Sequence, residues 1–382
     1  MDFEFSAEQR KWYDAAVAFA GEHLVDPDAV DRDRRAEFWR EGYERCAKFG
    51  AAGIPVPREY GGQGGTIADA VAAMEGLGYG CIDTGLLFSL NASLWTITMP
   101  ILVFGDEAQK KRYLPPLCDG RSFGANGASE PEAGSDIFSM KTLARREGDK
   151  WIINGRKIWI TGGPVADVFL IFATTDPSKG VLGITAFLID RGAPGLKIVR
   201  EIDKLGMRTA PMAELVFEDL ELPAESLLGR EGRGSRIFNQ ALEWERGAIL
   251  ASVVGTMQRQ VDRCIDRARK RKQFGQAIGK FQSVSNRIVD MLTRVETSRY
   301  MVHRYAWLKG KGKDAAIASA MAKLHVSESF AQNSLDAVRI FGAQGYTIEQ
   351  GLERDVRDST GGVLFSGTND IQRNIIAQNL RI

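Results

Sequence analysis

Apolar residues recur at helical spacing over 6–22. Ser6 is placed to cap this segment, and Trp12, Ala15, Ala16, Phe19 and Ala20 form one stripe, which predicts an amphipathic helix. The same period returns over about 36–49, 66–79 and 83–104, and Asp106 opens a further short helix. Prolines and glycines break up 53–65, which reads as loop. The period changes after Pro115-Pro116. Residues 151–160 predict two short strands around Asn154-Gly155, a strong hairpin signal. Runs over 168–174, 183–190, 196–202 and 213–220 read as strands bounded by Gly, Pro and Asp. Spacing of this kind predicts a small antiparallel barrel or sandwich. From Ser235 the helical period resumes, with breaks near 274–279, 309–313, 342–346 and 361–368, as in a bundle. The expected fold is mainly α with a central β-domain: an all-α domain over 1–118, a β-domain over 119–234 and a helical bundle over 235–382.

Within that pattern, Leu242–Ile249 is unusual. It opens a helical run reaching to about Arg271 and sets Glu243 and Glu245 into a largely apolar helix. A carboxyl beside apolar surface gains proton affinity and can serve as a base near neutral pH, although most helical Glu residues are solvated surface. Gly247, Ala248, Ala251 and Ser252 follow, small enough to leave room for a thin or flat ligand.

Composition narrows the function classes. At 382 residues the chain is long enough for two or three domains. A net charge of +1 argues against broad nucleic-acid or polybasic membrane binding. No apolar run reads as long enough to span a membrane, and MDFEFSAEQRKW lacks the apolar core of a signal peptide. Cys46, Cys81, Cys118, Cys264, His23, His303 and His325 are scattered, so the sequence predicts a cytoplasmic protein with reduced thiols and no metal site.

Nucleotide-loop patterns fail. The segment from Gly275 to Lys280 has the wrong spacing for a P-loop, and no parallel βαβ series hosts a dinucleotide fingerprint. The basic run from Arg259 to Lys272 reads either as a solvated helix face or as a phosphate-binding surface. Nucleic acid is a third reading, weakened by the balanced overall charge. The small, hydroxyl-rich loop 123–136 and the segment 159–163 place an aromatic and several hydroxyls at loop ends, a setting for a planar heterocycle.

Four ordered motifs then carry a resemblance: Ser129-Glu-Pro-Glu-Ala-Gly-Ser-Asp136, Lys157-Ile-Trp-Ile-Thr-Gly-Gly163, Arg271-Lys-Gln-Phe-Gly275 and Gly367-Thr-Asn-Asp-Ile-Gln-Arg373. Over its full length the chain resembles the acyl-CoA dehydrogenase flavoprotein family. The resemblance implies FAD, a helical N-terminal domain, a middle β-barrel, a C-terminal four-helix bundle, and a homodimer or homotetramer. It implies that Ala128 and Ser129 meet the flavin ring and that Trp159 and Thr161 flank it. Arg271, Phe274, Gln282, Gly342 and Ala343 would approach the FAD of a neighbouring subunit, and Thr368 and Asn369 would touch the adenosine end or pyrophosphate of the bound FAD. Arg339 stands where the family often has Gln, at a position counted with the cofactor contacts, and Asn126 where an aromatic is common. Ser135 and Glu243 match positions that contact the thioester arm, and Arg246 and Ser366 border the substrate.

The family's reaction removes an α-proton from an acyl thioester on CoA or a carrier protein while the β-hydride passes to flavin. Many members place the base just before the final Gly-Thr, where this chain has Ser366. A smaller set, including isovaleryl- and long-chain-type enzymes, places a Glu directly before the bundle arginine, which here is Glu245. Glu243 competes for the role but lies about 200° around the helix, so the two acids cannot share one face. The runs Phe281–Met291, Trp244-Glu245 and Phe365–Gln372 are similar to dehydrogenases of prolyl groups on peptidyl carrier proteins. Electron-transferring flavoprotein or oxygen is the implied acceptor. Two alternatives stay open: a flavin oxidase or monooxygenase on the same fold, and a non-catalytic nucleic-acid-binding member.

Overall fold

A computed structural model describes residues 4–382. Seven helices come first: α1 Ala7–His23, α2 Ala29–Arg35, α3 Arg40–Lys48, α4 Ile67–Gly80, α5 Thr84–Ser93, α6 Met99–Phe104 and α7 Glu107–Asp119. Ser6, Thr66 and Asp106 each form a reciprocal capping box, which fixes where α1, α4 and α7 begin. The helix expected over 36–49 is α3, preceded by an unexpected α2. That helix is nearly all charged and carries no apolar stripe for periodicity to detect, and it ends where Ala36 turns left-handed.

A π-turn over Leu94–Thr98 joins α5 to α6, and the pair runs continuously from Thr84 to Phe104. By length and composition this helix is apolar enough to cross a membrane, contrary to the sequence reading, yet 83% of its most apolar window is buried within the protein. It is the central helix of the N-terminal half. It packs on β1 (Gly124–Gly127), where the Gly124 N–H donates to Ser93 Oγ at 3.2 Å and a Cβ on Gly124 would meet Ile97 at 2.6 Å.

The remaining strands are β2 Leu143–Glu147, β3 Lys150–Thr161, β4 Val168–Thr174, β5 Ile184–Asp190, β6 Leu196–Glu201, β7 Met212–Pro223 and β8 Leu227–Leu228. They form one sheet in the order β6-β7-β3-β2-β4-β5-β8, mostly antiparallel, with β1 alongside β4 in parallel. Every residue of β4 is buried. Phe169, Ile171 and Ala173 enter the main core, while Val168, Leu170 and Phe172 enter a smaller core under α7. Two covered faces explain why β4 is apolar throughout rather than alternating.

The hairpin expected at Asn154-Gly155 is absent, because β3 runs unbroken through it. Those residues form a bulge against β7, with Asn154 donating to and accepting from Asp219 at 2.9 Å. The turn lies at Gly148-Asp149, which joins β2 to β3 with Glu147 opposite Lys150 and Gly148 at φ 63°.

The C-terminal helices are α8 Gly234–Ala248, α9 Ala251–Lys270, α10 Gln282–Gly310, α11 Ala316–Phe341, α12 Ala343–Tyr346, α13 Leu352–Gly362 and α14 Asn369–Leu380. The single helix expected from Leu242 to about Arg271 is therefore two, broken at Ile249-Leu250, just past Gly247, a weak helix former. Between α9 and α10 a tight hairpin pairs Lys272-Gln273 with Gln276-Ala277. Glu75 of α4 ties the N-terminal helices to the bundle. It is buried and accepts from Arg299 at 2.7 Å and His303 at 3.0 Å. Burial alone pushes its carboxyl up, but those partners hold it below the ordinary value.

Candidate active site

Glu245 sits near the end of α8 with only 9% of its surface exposed. It faces the turn between α13 and α14, where Ser366 adopts a left-handed φ of 57°, uncommon for a residue with a Cβ. The turn is held from several sides. Arg246 Nε donates to the Ser366 carbonyl at 3.1 Å, Gln372 Nε2 donates to the carbonyls of Ser366 at 3.1 Å and Gly367 at 2.8 Å, and Thr368 Oγ1 caps α14. Asn369 Oδ1 accepts from Lys323 Nζ at 2.8 Å and from Ser327 Oγ at 3.1 Å. Asn369 is thus engaged within the bundle.

Burial pushes the Glu245 carboxyl from 4.5 up to about 7, against opposing pulls from Ser366, Arg246 and Lys323. The Ser366 Oγ is itself buried and makes no hydrogen bond of ordinary geometry. Lys323 is fully buried on α11, and desolvation lowers its ammonium to about 8 although Glu245 favours the charged form. Sequence reading passed over Lys323, because a lysine among alanines on a helix carries no local mark of burial.

Glu243 points elsewhere. Its carboxylate pairs with Lys309 Nζ at 2.8 Å, and it lines a cleft of about 390 Å³ with Arg233, Arg236 and Gln240. The small residues after Glu245 also differ from expectation. A Cβ on Gly247 would lie 2.2 Å from the Tyr305 ring, and Gly78 of α4 meets the Ser252 carbonyl where its own Cβ would be. Ala248, Ala251 and Ser252 are buried. These residues let helices cross closely rather than leaving space for a ligand.

On the β-domain, Ala128 and Ser129 leave the end of β1 beside β3. The Ile158 N–H donates to the Ser129 carbonyl at 2.9 Å. Lys157, fully buried, donates to the Ala128 carbonyl at 3.0 Å and to Glu130 at 2.8 Å, and Glu130 also accepts the N–H groups of Lys141 and Thr142. Desolvation brings Lys157 down to about 8, and Glu130 works against that. The pair pins a loop of small residues whose backbone would otherwise be loose. Trp159 stands next to it with φ 62° and 55% exposure, and Thr161 ends the same strand. Asn126 Nδ2 is buried without an acceptor, and Ser135 is exposed. An exposed indole held in a strained backbone beside an unpaired buried donor fits a flat heterocycle with polar edges. The Leu94–Thr98 turn packs between β1 and α8, so one buried element positions both this loop and the helix bearing Glu245.

Arg271 and Phe274 lie on the α9–α10 hairpin, where Phe274 and Gly275 both have positive φ and the Phe274 ring is 93% exposed. Gln282 begins α10, and Gly342 and Ala343 follow α11. Arg339 pairs with Asp336 at 3.1 Å. Arg263, Arg267 and Arg271 line a cleft of about 630 Å³ with Phe341 and Gln350. The basic run is only partly a surface. Arg259 is turned inward onto the carbonyls of Gly78, Tyr79 and Cys81 at the end of α4, and Arg263 donates to Gln350 at 2.9 Å. Among the described residues no His/Cys/Asp/Glu group has metal-site geometry.

Three family models match the chain in order: the N-terminal domain of acyl-CoA dehydrogenases over 6–121, the middle domain over 125–220 and the C-terminal domain over 232–381. The chain belongs to the acyl-CoA dehydrogenase family. It is a flavin oxidoreductase acting on CH–CH bonds. An L-prolyl-[peptidyl-carrier protein] dehydrogenase of Serratia sp. is 41% identical over 100% of this chain and 98% of its own length. A short-chain-specific acyl-CoA dehydrogenase of Clostridium acetobutylicum is 38% identical over 99% of both. Among solved structures, the prolyl acyl carrier protein oxidase AnaB superposes with a TM-score of 0.97 at 45% identity, covering 99% of this chain and 100% of that one. PigA with FAD and proline gives a TM-score of 0.97 at 41% identity, covering 100% and 99%.

Proposed function

We propose that the protein is an FAD-dependent dehydrogenase of an aminoacyl thioester, with L-proline on a peptidyl carrier protein as the substrate and Glu245 as the base. The observation that carries the base is the burial of Glu245 opposite Ser366, which stands where many family members have their acid. Ser366 has no partner base and cannot take an α-proton, whereas a carboxyl near pH 7 is matched to proton abstraction. The likeness to prolyl-carrier enzymes over the full chain supports the substrate.

In this reading Glu245 removes the proton from Cα, leaving negative charge that spreads toward the thioester carbonyl. The cations of Arg246 and Lys323 favour that charge. Arg246 also holds the Ser366 turn at the substrate face. FAD, when bound, would supply the hydride acceptor. Ala128, Ser129, Trp159 and Thr161 hold its ring, and Thr368 its diphosphate side. Asn369, engaged with Lys323 and Ser327, serves by fixing the turn. The exposed Phe274 with Arg271, Gln282, Arg339, Gly342 and Ala343 meets the FAD of a second subunit in a homodimer or homotetramer. Ser135 and Glu243 contact the arm. The domains divide at 1–118, 119–234 and 235–382, and the enzyme works in the cytoplasm.

Anaerobic titration of the FAD-loaded protein tests this. L-prolyl carrier protein should bleach the flavin, and butyryl-CoA should do so at least tenfold less efficiently. Equal bleaching by butyryl-CoA removes the prolyl reading, and no bleaching by any thioester removes the dehydrogenase reading. Because AnaB is named an oxidase, reoxidation is to be followed both with oxygen and with an electron-transferring flavoprotein.

A further inference from the structure

Arg230, Arg233 and Arg236 stand within seven residues at the start of α8, all exposed. None makes an ion pair or side-chain hydrogen bond among the described residues. Some exposed arginines elsewhere are paired, Arg34 with Asp31 and Arg145 with Glu147. Others, Arg269 and Arg304 among them, are not, but those are not gathered three within seven residues. Of the nearby acids, Glu243 is held by Lys309 and Asp176 by Lys179 at 2.8 Å, and Glu231, which makes no ion pair among the described residues, is outnumbered by the three arginines. The field at this mouth is therefore positive on a chain whose net charge is only +1. Beside it the turn Pro177–Gly183 exposes 46% of Val181 and 59% of Leu182. Gly232, at φ 71°, seats the Leu182 backbone against the arginines, where a Cβ would lie 2.5 Å from the Leu182 carbonyl. Arg236, Gln240 and Glu243 follow at i, i+4 and i+7 and line one wall of the 390 Å³ cleft.

From Arg236 and Arg233 to Glu245 the helix advances about 13 and 18 Å, at 1.5 Å per residue. A free amino acid cannot touch both ends, but an acyl group on a long tether can. We propose that this surface docks an acidic, phosphopantetheinylated carrier domain. The three arginines meet carboxylates on that domain, Val181 and Leu182 form the apolar contact, and the cleft admits the start of the arm. The inference rests on the carrier-thioester reading above. Charge complementarity and an apolar contact beside it favour a folded acidic protein over a free CoA thioester, whose phosphates would engage the arginines without using Val181 or Leu182.

The test uses the FAD-loaded full chain and the variant Arg230→Glu/Arg233→Glu/Arg236→Glu. The probes are L-proline on a phosphopantetheinylated peptidyl carrier domain and L-prolyl-S-pantetheine, which lacks the domain. Charge reversal should lower kcat/KM for the carrier substrate at least tenfold more than it lowers that for the pantetheine thioester, which meets only the cleft wall. Added NaCl should weaken the wild type on the carrier substrate and leave the variant unmoved. Equal losses on both substrates, or none on the carrier, overturn the proposal. Calorimetric titration with the unloaded carrier domain separates docking from chemistry. If the wild type binds and the variant does not, yet neither prolyl thioester bleaches the flavin, docking stands and the prolyl substrate falls. A wild type that is bleached by L-prolyl-S-pantetheine but does not bind the domain keeps the chemistry and overturns docking. FAD content and the melting temperature report folding, and the triple Arg→Gln variant replaces the reversal should it misfold.

Discussion

Replacing Glu245 with Gln keeps the shape of the side chain and removes its ability to take a proton. Two consequences follow from the same burial. Loss of a general base costs about 10² to 10⁴ in rate, so anaerobic flavin reduction by the thioester should fall by at least that lower bound while the FAD content is unchanged. The second consequence concerns stability. The carboxyl is raised from 4.5 to about 7, so folding favours the protonated form. Its contribution is fully present below about pH 4.5 and is lost as pH rises through about 7. By linkage the wild type forfeits about 1 kcal/mol at pH 5 and about 3 kcal/mol at pH 8. Gln never ionises, so Glu245→Gln should become more stable than the wild type as pH rises, gaining about 2 kcal/mol between pH 5 and 8. Urea melts at both values read this directly. A stability difference that does not change with pH would show that the carboxyl is not desolvated in the folded protein. Turnover of Glu245→Gln at the wild-type rate would remove the base assignment. Either result refutes the chain from burial to basicity.

Lys323→Met removes a cation that holds Glu245 down, so the acid limb of kcat/KM should move to higher pH and Lys323→Arg should restore it. A profile unmoved in Lys323→Met would leave Lys323 a packing residue only. Gly247→Ala should lower stability by about 1 to 3 kcal/mol, because the new Cβ enters the Tyr305 ring; a thermal melt equal to wild type would show that the ring yields freely. Lys157→Met leaves Glu130 buried without its partner and should cost about 3 to 5 kcal/mol, with loss of FAD loading from the Ala128-Ser129 loop. Retention of both flavin and stability would contradict the role given to that pair.

Local pattern and motif determined much of this protein. Helical period and capping residues located α1, α4 and α7, since those signals act over a few residues of sequence. Four separated motifs identified the family, and with Ser366 where an acid often stands, the choice of base moved to the Glu243–Glu245 stretch. Local pattern misled where the deciding contact was distant. Asn154-Gly155 reads as a hairpin, but Asp219 on a strand far along the chain takes up its polar groups, and the turn goes to Gly148-Asp149. Gly247 and Ser252 read as ligand clearance until Tyr305 and Gly78 are seen to fill that space. Helical spacing put the two acids about 200° apart, but only the tertiary structure decided which one is desolvated. Lys309 meets Glu243 at the edge of a cleft, while Glu245 is enclosed with Ser366, Arg246 and Lys323. A carboxyl's proton affinity depends on the water and charges around it, and those come from helices more than seventy residues apart in the chain.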